Sequence, residues 1–522
     1  MTNRQGRQGG QWLAMIAGGL LAVLAALAPG RAEARCEDPL ARLESVGPLL
    51  DGIGDIAGLK ELYGLWGPEC AWNAEAASVL TAILRRVDEH GLPPSAFLMD
   101  RLERGQRTDD VERDLLLTAA ALRYAQVMRS GRIDLARLYG DVAIHRWSVG
   151  GAPELAAALR SGNLRHWLEA LPPAQPEYGG LVQGLASYRA LAARGGWPML
   201  SLPDGKRSLK PDETSPLVPE LRARLLIAGD IESADGTETF DADTVAAVRR
   251  FQARHGLLVD GIVGRDTLAA LNVSAAVRAE QIALNMERWR FMSHAMPPTR
   301  IEVNSAAADA VVMRDGEVLF RMKTIVGTKV TPTPMLASAI MRVIVNPPWV
   351  VPHSIYRGEI APAIARDPDY LRKHDMAWQG AHVVQAPGPG NALGRLKFEF
   401  PSPFAVYLHD TNAPSLFATE NRFRSHGCIR VERPTELALH LLAPSGWSRE
   451  RLETLIAAEE TVAVPVGPPM PVVVAYWTAF VQPDGTVEFR DDIYGRDAAL
   501  KAALESAAPR PPVFEASGDC GA

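Results

Sequence analysis

The apolar pattern of the chain changes at Arg300, and this change constrains the fold more than any other feature. Before it, apolar residues recur every three or four positions, as in "ERDLLLTAAALRYAQVMRSGRI" from Glu112, which is typical of helices. After it, "RIEVNSAAADAVVMRDGEVLFRMKTIVG" alternates apolar and polar residues and turns at Asp315-Gly316, which indicates a β-hairpin. The 522 residues therefore predict an α+β protein of several domains, helical first and β-rich later.

The first residues have the features of an export signal. Two arginines precede an apolar stretch from Trp12 to Ala28, and small residues follow at Ala32 and Ala34. We expect residues 1–34 to be a signal peptide that is removed, which gives a periplasmic protein without stable membrane insertion. The alternative is an uncleaved membrane anchor, although a stretch of about 17 residues is short for a span.

Two helical regions follow the signal. Residues 35–200 predict a helical scaffold, in which Gly131 ends the long helix quoted above, and no catalytic residue types concentrate there. Residues 201–275 predict a compact unit of three helices. In its middle helix, Asp241 is the expected N-cap, and Val245 and Phe251 lie on one apolar face.

The β-rich domain is expected over residues 299–500, after a helical linker at 276–298. A further hairpin is predicted at Asp484-Gly485, near the end of this domain. Residues 353–393 interrupt the strands with a long, partly helical insertion that ends in a Gly/Pro run, and we interpret this insertion as a lid. Residues 501–522 are expected to be a C-terminal tail.

The segment "SHGCIR", residues 425–430, carries the candidate chemistry. A cysteine attacks as thiolate, and a neighbouring imidazole or helix N-terminus lowers its pKa from about 8.5. Two histidines could act as base: His426, beside Cys428, and His409, at the end of the strand "FAVYLHD". Gly427 lets the main chain turn, so that N–H groups near Cys428 can converge on an oxyanion.

These motifs resemble two known families. "YLHDTNAPSLFATENRFRSHGCIRV", with "VNPPWVVP" and "PGPGNALGRLKF", closely resembles the L,D-transpeptidases over most of residues 300–500. "RRFQARHGL" and "DGIVGRDTLAAL" resemble a peptidoglycan-binding module over about 70 residues of the 201–275 region. The combination with a scaffold and a lid is similar to the large periplasmic subfamily. A plain three-helix spacer is the alternative for the module.

The first resemblance implies a role for each residue of the motif. Cys428 would be the nucleophile and His409 the general base, whose other nitrogen the carbonyl of Asp410 would hold. The main-chain amides around His426, Gly427 and Cys428 would form the oxyanion hole. The remaining implied residues would line the substrate cleft: Tyr407, Ser425 and Arg430.

The implied reaction is acyl transfer on the peptide stems of the bacterial wall. Cys428 would attack the bond between a third-position diamino acid and D-Ala, release D-Ala, and pass the acyl group to a second stem in a 3→3 cross-link. Water as acceptor would make an L,D-carboxypeptidase instead, and a non-catalytic wall-binding protein is a third hypothesis. No cofactor is implied, and carbapenem-type β-lactams would be covalent inhibitors.

Other interpretations of the same residues stay open. Cys428 could be an inert buried thiol, or it could bind zinc with His409 and His426, although no CxxC or HxxxH pair supports a metal site. Arg430 could simply pair with Glu432 or Glu436. Three further histidines are expected to be solvent-facing residues of the lid: His353, His374 and His382.

The cysteines and the net charge of the chain indicate which disulfides and which partners to expect. In an exported protein Cys36 and Cys70 are natural disulfide partners, although the four cysteines allow three full connectivities. Cys428 should remain reduced in order to act, and Cys520 lies in the polar tail. The net charge of −6 and the lack of a long basic run argue against a nucleic-acid partner.

Overall fold

The computed structural model of the protein describes residues 38–43, 56–104, 109–147 and 151–506. The predicted signal peptide, Cys36 and Cys520 lie outside these ranges. None of the described helices combines the length and apolar character that a membrane span requires.

The N-terminal part is helical, as predicted. Its α-helices are α1 (39–43), α2 (Ile56–Trp66), α3 (Ala74–Leu84), α4 (Met99–Arg104), α5 (Asp110–Ser130), α6 (Leu135–Tyr139), α7 (Gly151–Arg160), α8 (Leu164–Glu169) and α9 (Pro176–Ala193), with 3₁₀ turns at Val87–His90 and Pro94–Phe97. Helix α5 is buried on almost every side, so its apolar residues form the centre of a bundle rather than one stripe. The prediction that Gly131 ends this helix is confirmed by its left-handed φ of 71°.

The middle unit consists of α10 (Leu217–Ala228), α11 (Ala242–Arg254) and α12 (Arg265–Leu271). The N-cap prediction is confirmed, because the Asp241 carboxylate accepts a hydrogen bond from the N–H of Thr244. Val245 and Phe251 lie in the core of this unit. A buried ion pair between Arg254 and Asp230 joins the second helix to the end of the first.

Helix α13 (Ala275–Met292) is more than the linker that the sequence predicts. It packs against α5 and α9, and most of its side chains are buried. Arg290 pairs with Glu287 at 2.7 Å and Arg288 pairs with Asp497 at 2.6 Å. Buried arginines need such partners, so α13 fixes the scaffold to the C-terminal part of the chain.

A mixed sheet of ten strands forms the centre of the C-terminal part. Its strands are β1 (Val142–Ala143), β2 (Arg300–Asn304), β3 (Asp309–Arg314), β4 (Glu317–Gly327), β5 (Met335–Val345), β9 (Leu396–Glu399), β10 (Leu408–His409), β11 (Phe423–Ser425), β12 (Ile429–Val431) and β13 (Val462–Ala475). The order is β1-β5-β13-β2-β3-β4-β12-β10-β9, with β11 beside β4. Since β9 also pairs with β5, the sheet closes on itself.

The remaining elements surround this sheet. They are β6 (Trp349–Val350), β7 (Met376–Gln379), β8 (His382–Gln385), β14 (Ala479–Val481), β15 (Val487–Phe489), α14 (His353–Ile355), α15 (Ala361–Arg366), α16 (Tyr370–Lys373), α17 (Pro434–Leu442), α18 (Arg449–Ala457) and α19 (Arg496–Ser506). Both predicted hairpins, at Asp315-Gly316 and Asp484-Gly485, are confirmed. Helix α19 extends into the expected tail, because Leu500 is buried and Lys501 pairs with Glu280.

The insertion at 353–393 has a small core of its own. Ile360, Met376 and Val383 pack together with Val351, and β6, β8 and β7 form a separate three-stranded sheet. The three histidines expected on its surface are exposed: His353, His374 and His382. The segment is therefore a structured subdomain beside the main sheet.

Candidate active site

The "SHGC" segment forms a tight turn between β11 and β12. Gly427 adopts a φ of 108°, a conformation that side-chain-bearing residues rarely adopt. Its N–H donates to Ser425 Oγ at 3.1 Å, and that hydroxyl donates to the carbonyl of Cys428 at 2.5 Å. Ser425, expected to line the substrate cleft, therefore holds the turn in shape.

A second loop, residues 327–333, holds this turn from outside. Thr333 Oγ1 donates to the carbonyl of Gly427 at 2.9 Å, and the N–H of Thr328 donates to the carbonyl of Ser425 at 3.1 Å. Gly327 has no room for a side chain, since a Cβ there would lie 2.1 Å from the Thr331 carbonyl oxygen. The sequence analysis missed this loop, and the Gly and Thr residues in "VGTKVTPT" were the available signal.

Strand pairing brings the predicted residues onto one face. β10 runs parallel to β12, with Leu408 opposite Ile429 and His409 opposite Arg430. Leu408 and Ile429 are fully buried in the core. Because side chains alternate along a strand, His409 and Arg430 lie on the opposite face, together with Cys428, and Tyr407 precedes Leu408 on the same side.

The Cys428 thiol contacts two neighbours. Its Sγ lies 3.9 Å from the carbonyl oxygen of Ala405, a residue whose own φ of 52° is unusual for a non-glycine. The hydroxyl and main chain of Tyr407 both interact with the thiol and lower its pKa. The Tyr407 ring also packs edge-on to the His409 ring, with centroids 5.6 Å apart. Tyr407 therefore contacts both Cys428 and His409.

Burial controls the protonation of the pair. Tyr407, Lys397 and Arg430 each lower the pKa of the Cys428 thiol, but desolvation by burial has the larger effect. The pKa of the thiol is therefore raised above its usual value. Burial and the neighbouring Arg430 lower the pKa of His409 to about 3. The expectation of a lowered thiol pKa is therefore wrong for this state, in which thiol and imidazole both rest neutral at pH 7.

The environment of His409 differs in part from the expected one. Nδ1 is buried without a hydrogen-bond partner in the described part of the chain, although the main chain of Asp410 and of Leu393 lies close enough to oppose the fall in pKa. The Asp410 carboxylate instead accepts hydrogen bonds from the N–H groups of Arg395 and Thr411, at 2.8 and 2.7 Å. Asp410 thus fixes the loop beside the imidazole.

Of the main-chain N–H groups that the structure describes around Cys428, one is hydrogen-bonded within the turn and two are not. The N–H of Gly427 is already bound to Ser425 Oγ, so it does not point at an oxyanion in this state. Among the described residues the N–H groups of His426 and Cys428 have no acceptor. These two are the donors that remain for an oxyanion.

The insertion reaches the motif through one contact. Oε1 of Glu359 lies 2.8 Å from Nε2 of His426. Glu359 belongs to the π-helical turn Tyr356–Ile360, a rare geometry that is frequent at functional sites. This contact and the half-buried position of Cys428 fit the predicted lid, and the sequence analysis did not single out Glu359.

Two alternative interpretations are answered by the structure. Arg430 does not pair with the expected carboxylates, because Glu432 accepts from the N–H of Lys323 and Glu436 pairs with Arg433. In the described ranges, no cluster of three His, Cys, Asp or Glu side chains could hold a metal ion.

The two cysteines that the structure describes are in different oxidation states, and a thiol mechanism requires the one at Cys428 to be reduced. Cys428 is a free thiol, and Cys70 is disulfide-bonded. Because Cys36 and Cys520 lie outside the described residues, the pairing of Cys70 with Cys36 stays a prediction.

Comparison with known proteins agrees with this geometry. Residues 298–472 match the family model described as "L,D-transpeptidase catalytic domain". This part of the chain is similar to the L,D-transpeptidase catalytic domain. Residues 57–185 match the model "Scaffold domain", and residues 214–271 match "Putative peptidoglycan binding domain". The catalytic-domain match includes strand β10, which carries His409, and the turn that carries Cys428.

Individual proteins that are similar to this chain match only part of it. A Haemophilus influenzae protein named "Putative L,D-transpeptidase" is 33% identical over 245 residues, which are 43% of this chain and 49% of the relative. The chain thus spans about half the length of the curated relative it matches. An L,D-transpeptidase from Mycobacterium smegmatis is 18% identical with a TM-score of 0.19, over 33% of this chain and 57% of that one. One from Stackebrandtia nassauensis is 14% identical with a TM-score of 0.21, over 51% and 94%.

Proposed function

We propose that this protein is an exported cysteine acyltransferase that forms 3→3 cross-links in peptidoglycan. The observation that carries the proposal is the placement of Cys428, a free thiol, beside Tyr407 and His409 inside the L,D-transpeptidase domain. The module at 214–271 would hold the enzyme on the wall, which fits a periplasmic location.

The first half-reaction starts from the neutral pair. As Sγ of Cys428 attacks the carbonyl carbon that precedes D-Ala, the thiol proton passes to His409, which is neutral above about pH 3. The Tyr407 hydroxyl, whose own pKa is raised by burial and by Cys428, stays protonated and stabilises the forming thiolate. The free N–H groups of His426 and Cys428 can bind the oxyanion.

Collapse of this intermediate breaks the bond to D-Ala. The imidazolium of His409 gives its proton to the leaving amine, so that D-Ala departs neutral at that nitrogen and a thioester remains on Cys428. Burial favours this direction, because a charged imidazole is costly in the enclosed position of His409. The low basicity of His409 therefore makes it a good acid once it is protonated.

The second half-reaction returns the enzyme to its start. The side-chain amine of a second stem attacks the thioester carbon, and His409 accepts the amine proton. The C–S bond then breaks, and His409 returns the proton to Sγ of Cys428 to restore the thiol. Glu359 of the insertion contacts His426, and an insertion that covers the motif as a lid would limit the access of water to the thioester. Water in place of the amine would give the carboxypeptidase reaction.

Product analysis tests this proposal. The full mature chain is incubated with disaccharide-tetrapeptides, and the products are separated and weighed by mass spectrometry. Cross-linked dimers that lack one D-Ala support transpeptidation, and tripeptides alone support hydrolysis. Unchanged substrate under all conditions would contradict both and leave a wall-binding protein. Carbapenem-type β-lactams should acylate the same thiol.

A further inference from the structure

Two side chains of opposite charge flank the nucleophile, and neither takes part in the proton transfers described above. Glu359 of the lid contacts His426, two residues before Cys428. Arg430 lies two residues after Cys428, on the same face of the sheet as His409. An anion and a cation therefore flank the turn that carries Cys428.

The Arg430 guanidinium is free to bind a ligand. In the part of the chain that the structure describes it forms no ion pair, and its Nε is buried without a hydrogen-bond partner. Nearby carboxylates are already committed, Glu432 to the N–H of Lys323 and Glu436 to Arg433. A buried, unpaired donor of this kind is costly unless a ligand satisfies it, and a guanidinium binds carboxylates in bidentate fashion.

Glu359 is the complementary open acceptor. One carboxylate oxygen contacts His426, and the other has no partner among the described residues. Other carboxylates close to the site are occupied: Asp410 accepts two main-chain N–H groups, and Glu399 pairs with Arg342 and Lys397. Glu359 can therefore accept an ammonium group without losing a structural contact.

Glu359 and Arg430 interact electrostatically but do not form an ion pair with each other. Glu359 is close enough to Arg430 to raise the pKa of its guanidinium against the effect of burial, yet no ion pair forms between them. A separated carboxylate and guanidinium are complementary to a group that carries both an ammonium and a carboxylate. In a wall stem, that group is the distal carbon of a diamino acid such as diaminopimelate.

We propose that Glu359 and Arg430 recognise the zwitterionic end of the donor's third residue, with the ammonium at Glu359 and the carboxylate at Arg430. This inference rests on the proposed function. Three methylene groups separate that distal carbon from the carbon bearing the acyl group, so the zwitterion lies beside the nucleophile when the acyl carbon reaches Cys428. Both residues act as positioning residues for the donor, and the lid supplies one of them.

Three soluble tetrapeptide donors test the inference. The first has unmodified diaminopimelate, the second has its distal carboxylate amidated, and the third has its distal amine acetylated. The rate of Cys428 acylation in the full chain is followed by intact-protein mass spectrometry. We expect the wild type to lose about tenfold in rate with either modified donor, because each leaves one charged partner unpaired.

Two variants assign the residues separately. Glu359→Gln should remove the penalty for the acetylated amine and keep the penalty for the amide, and Arg430→Gln should do the reverse. Asp369→Asn, which changes an exposed lid carboxylate paired with Arg372, should keep both penalties. Changes that only disturb the lid or the His409 pKa would slow all donors equally and leave the ratios unchanged.

The outcomes separate the inference from the proposed function. Equal acylation by all three donors in the wild type would overturn the inference and leave the transpeptidase proposal intact. Penalties that neither variant changes would also overturn it. No acylation by any donor would contradict the proposed function itself, and the inference with it.

Discussion

His409 and Arg430 occupy paired positions on the adjacent parallel strands β10 and β12. The guanidinium adds to burial in lowering the pKa of the imidazole to about 3. The same pairing keeps the imidazole neutral at rest and would make its protonated form a strong acid. In the proposed mechanism, Arg430 would therefore influence a proton transfer in which it does not take part.

Replacing Arg430 tests this coupling. In Arg430→Gln the pKa of His409 should rise from about 3 toward the ordinary histidine value, because a nearby cation is removed. In Arg430→Lys, which retains a charge, the pKa should stay close to the wild-type value. An NMR titration of the His409 ring nitrogens measures both. An unchanged titration in Arg430→Gln would show that burial alone sets this pKa.

Burial of neutral His409 also makes stability depend on pH. The folded pKa of about 3 lies below the unfolded value of about 6.5, so between these values the unfolded chain binds the extra proton. Stability is therefore full above about pH 6.5 and falls as the pH decreases toward 3. Between pH 7 and 4.5, His409 should account for about 2 kcal/mol of the loss.

Denaturant titrations of wild type and His409→Asn at these two pH values check the prediction. The variant should lose less stability on acidification than the wild type does, since asparagine does not titrate. An equal loss in both proteins would mean that the imidazole is protonated in the folded state. His90, whose pKa burial lowers to about 4, contributes in the same direction in both proteins.

The helical half and the hairpins could be predicted because their signals are local. Gly131 ends α5, Asp241 caps α11, and two Asp-Gly pairs turn hairpins, each through contacts within a few residues. The pairing of Cys428 with His409 was a prediction from the strand-end position of His409 and from the resemblance to a family. These features could be predicted without knowing any contact between distant segments.

The features that could not be predicted from the sequence depend on contacts between segments that are distant in the chain. Thr333 supports Gly427 across 94 positions of sequence, and Glu359 of the insertion at 353–393 contacts His426 although the two are far apart in the sequence. The raised pKa of Cys428 also reflects burial by the whole fold, whereas the residues beside it in sequence suggested the opposite. No local pattern carries this information.

A substitution at Gly327 tests whether loop 327–333 supports the turn that holds Cys428. Gly327→Ala would place a Cβ 2.1 Å from the Thr331 carbonyl oxygen, so loop 327–333 must shift and release the turn that holds Cys428. We expect a destabilisation of about 1–3 kcal/mol and a loss of at least about tenfold in acylation rate. Gly236→Ala, where no atom lies within 4 Å of the new Cβ, is the matched control. A normal acylation rate in Gly327→Ala would contradict this supporting role.

Deleting the lid tests its role as a water barrier. Replacing residues 353–393 by a short loop should leave the main sheet folded, because the insertion has its own core. Transfer should fall relative to hydrolysis, since the thioester becomes exposed. The ratio of cross-linked dimer to tripeptide, measured on a variant with intact circular dichroism, decides the matter. An unchanged ratio would exclude a lid function.

The central claim is that Cys428 carries the acyl group. The direct measurement is intact-protein and peptide mass spectrometry of the full chain after brief incubation with a tetrapeptide donor or a carbapenem. The account predicts one adduct on the peptide that contains Cys428, absent in Cys428→Ala and nearly absent in His409→Ala. An adduct that persists in Cys428→Ala would contradict the assignment of the nucleophile and the mechanism built on it.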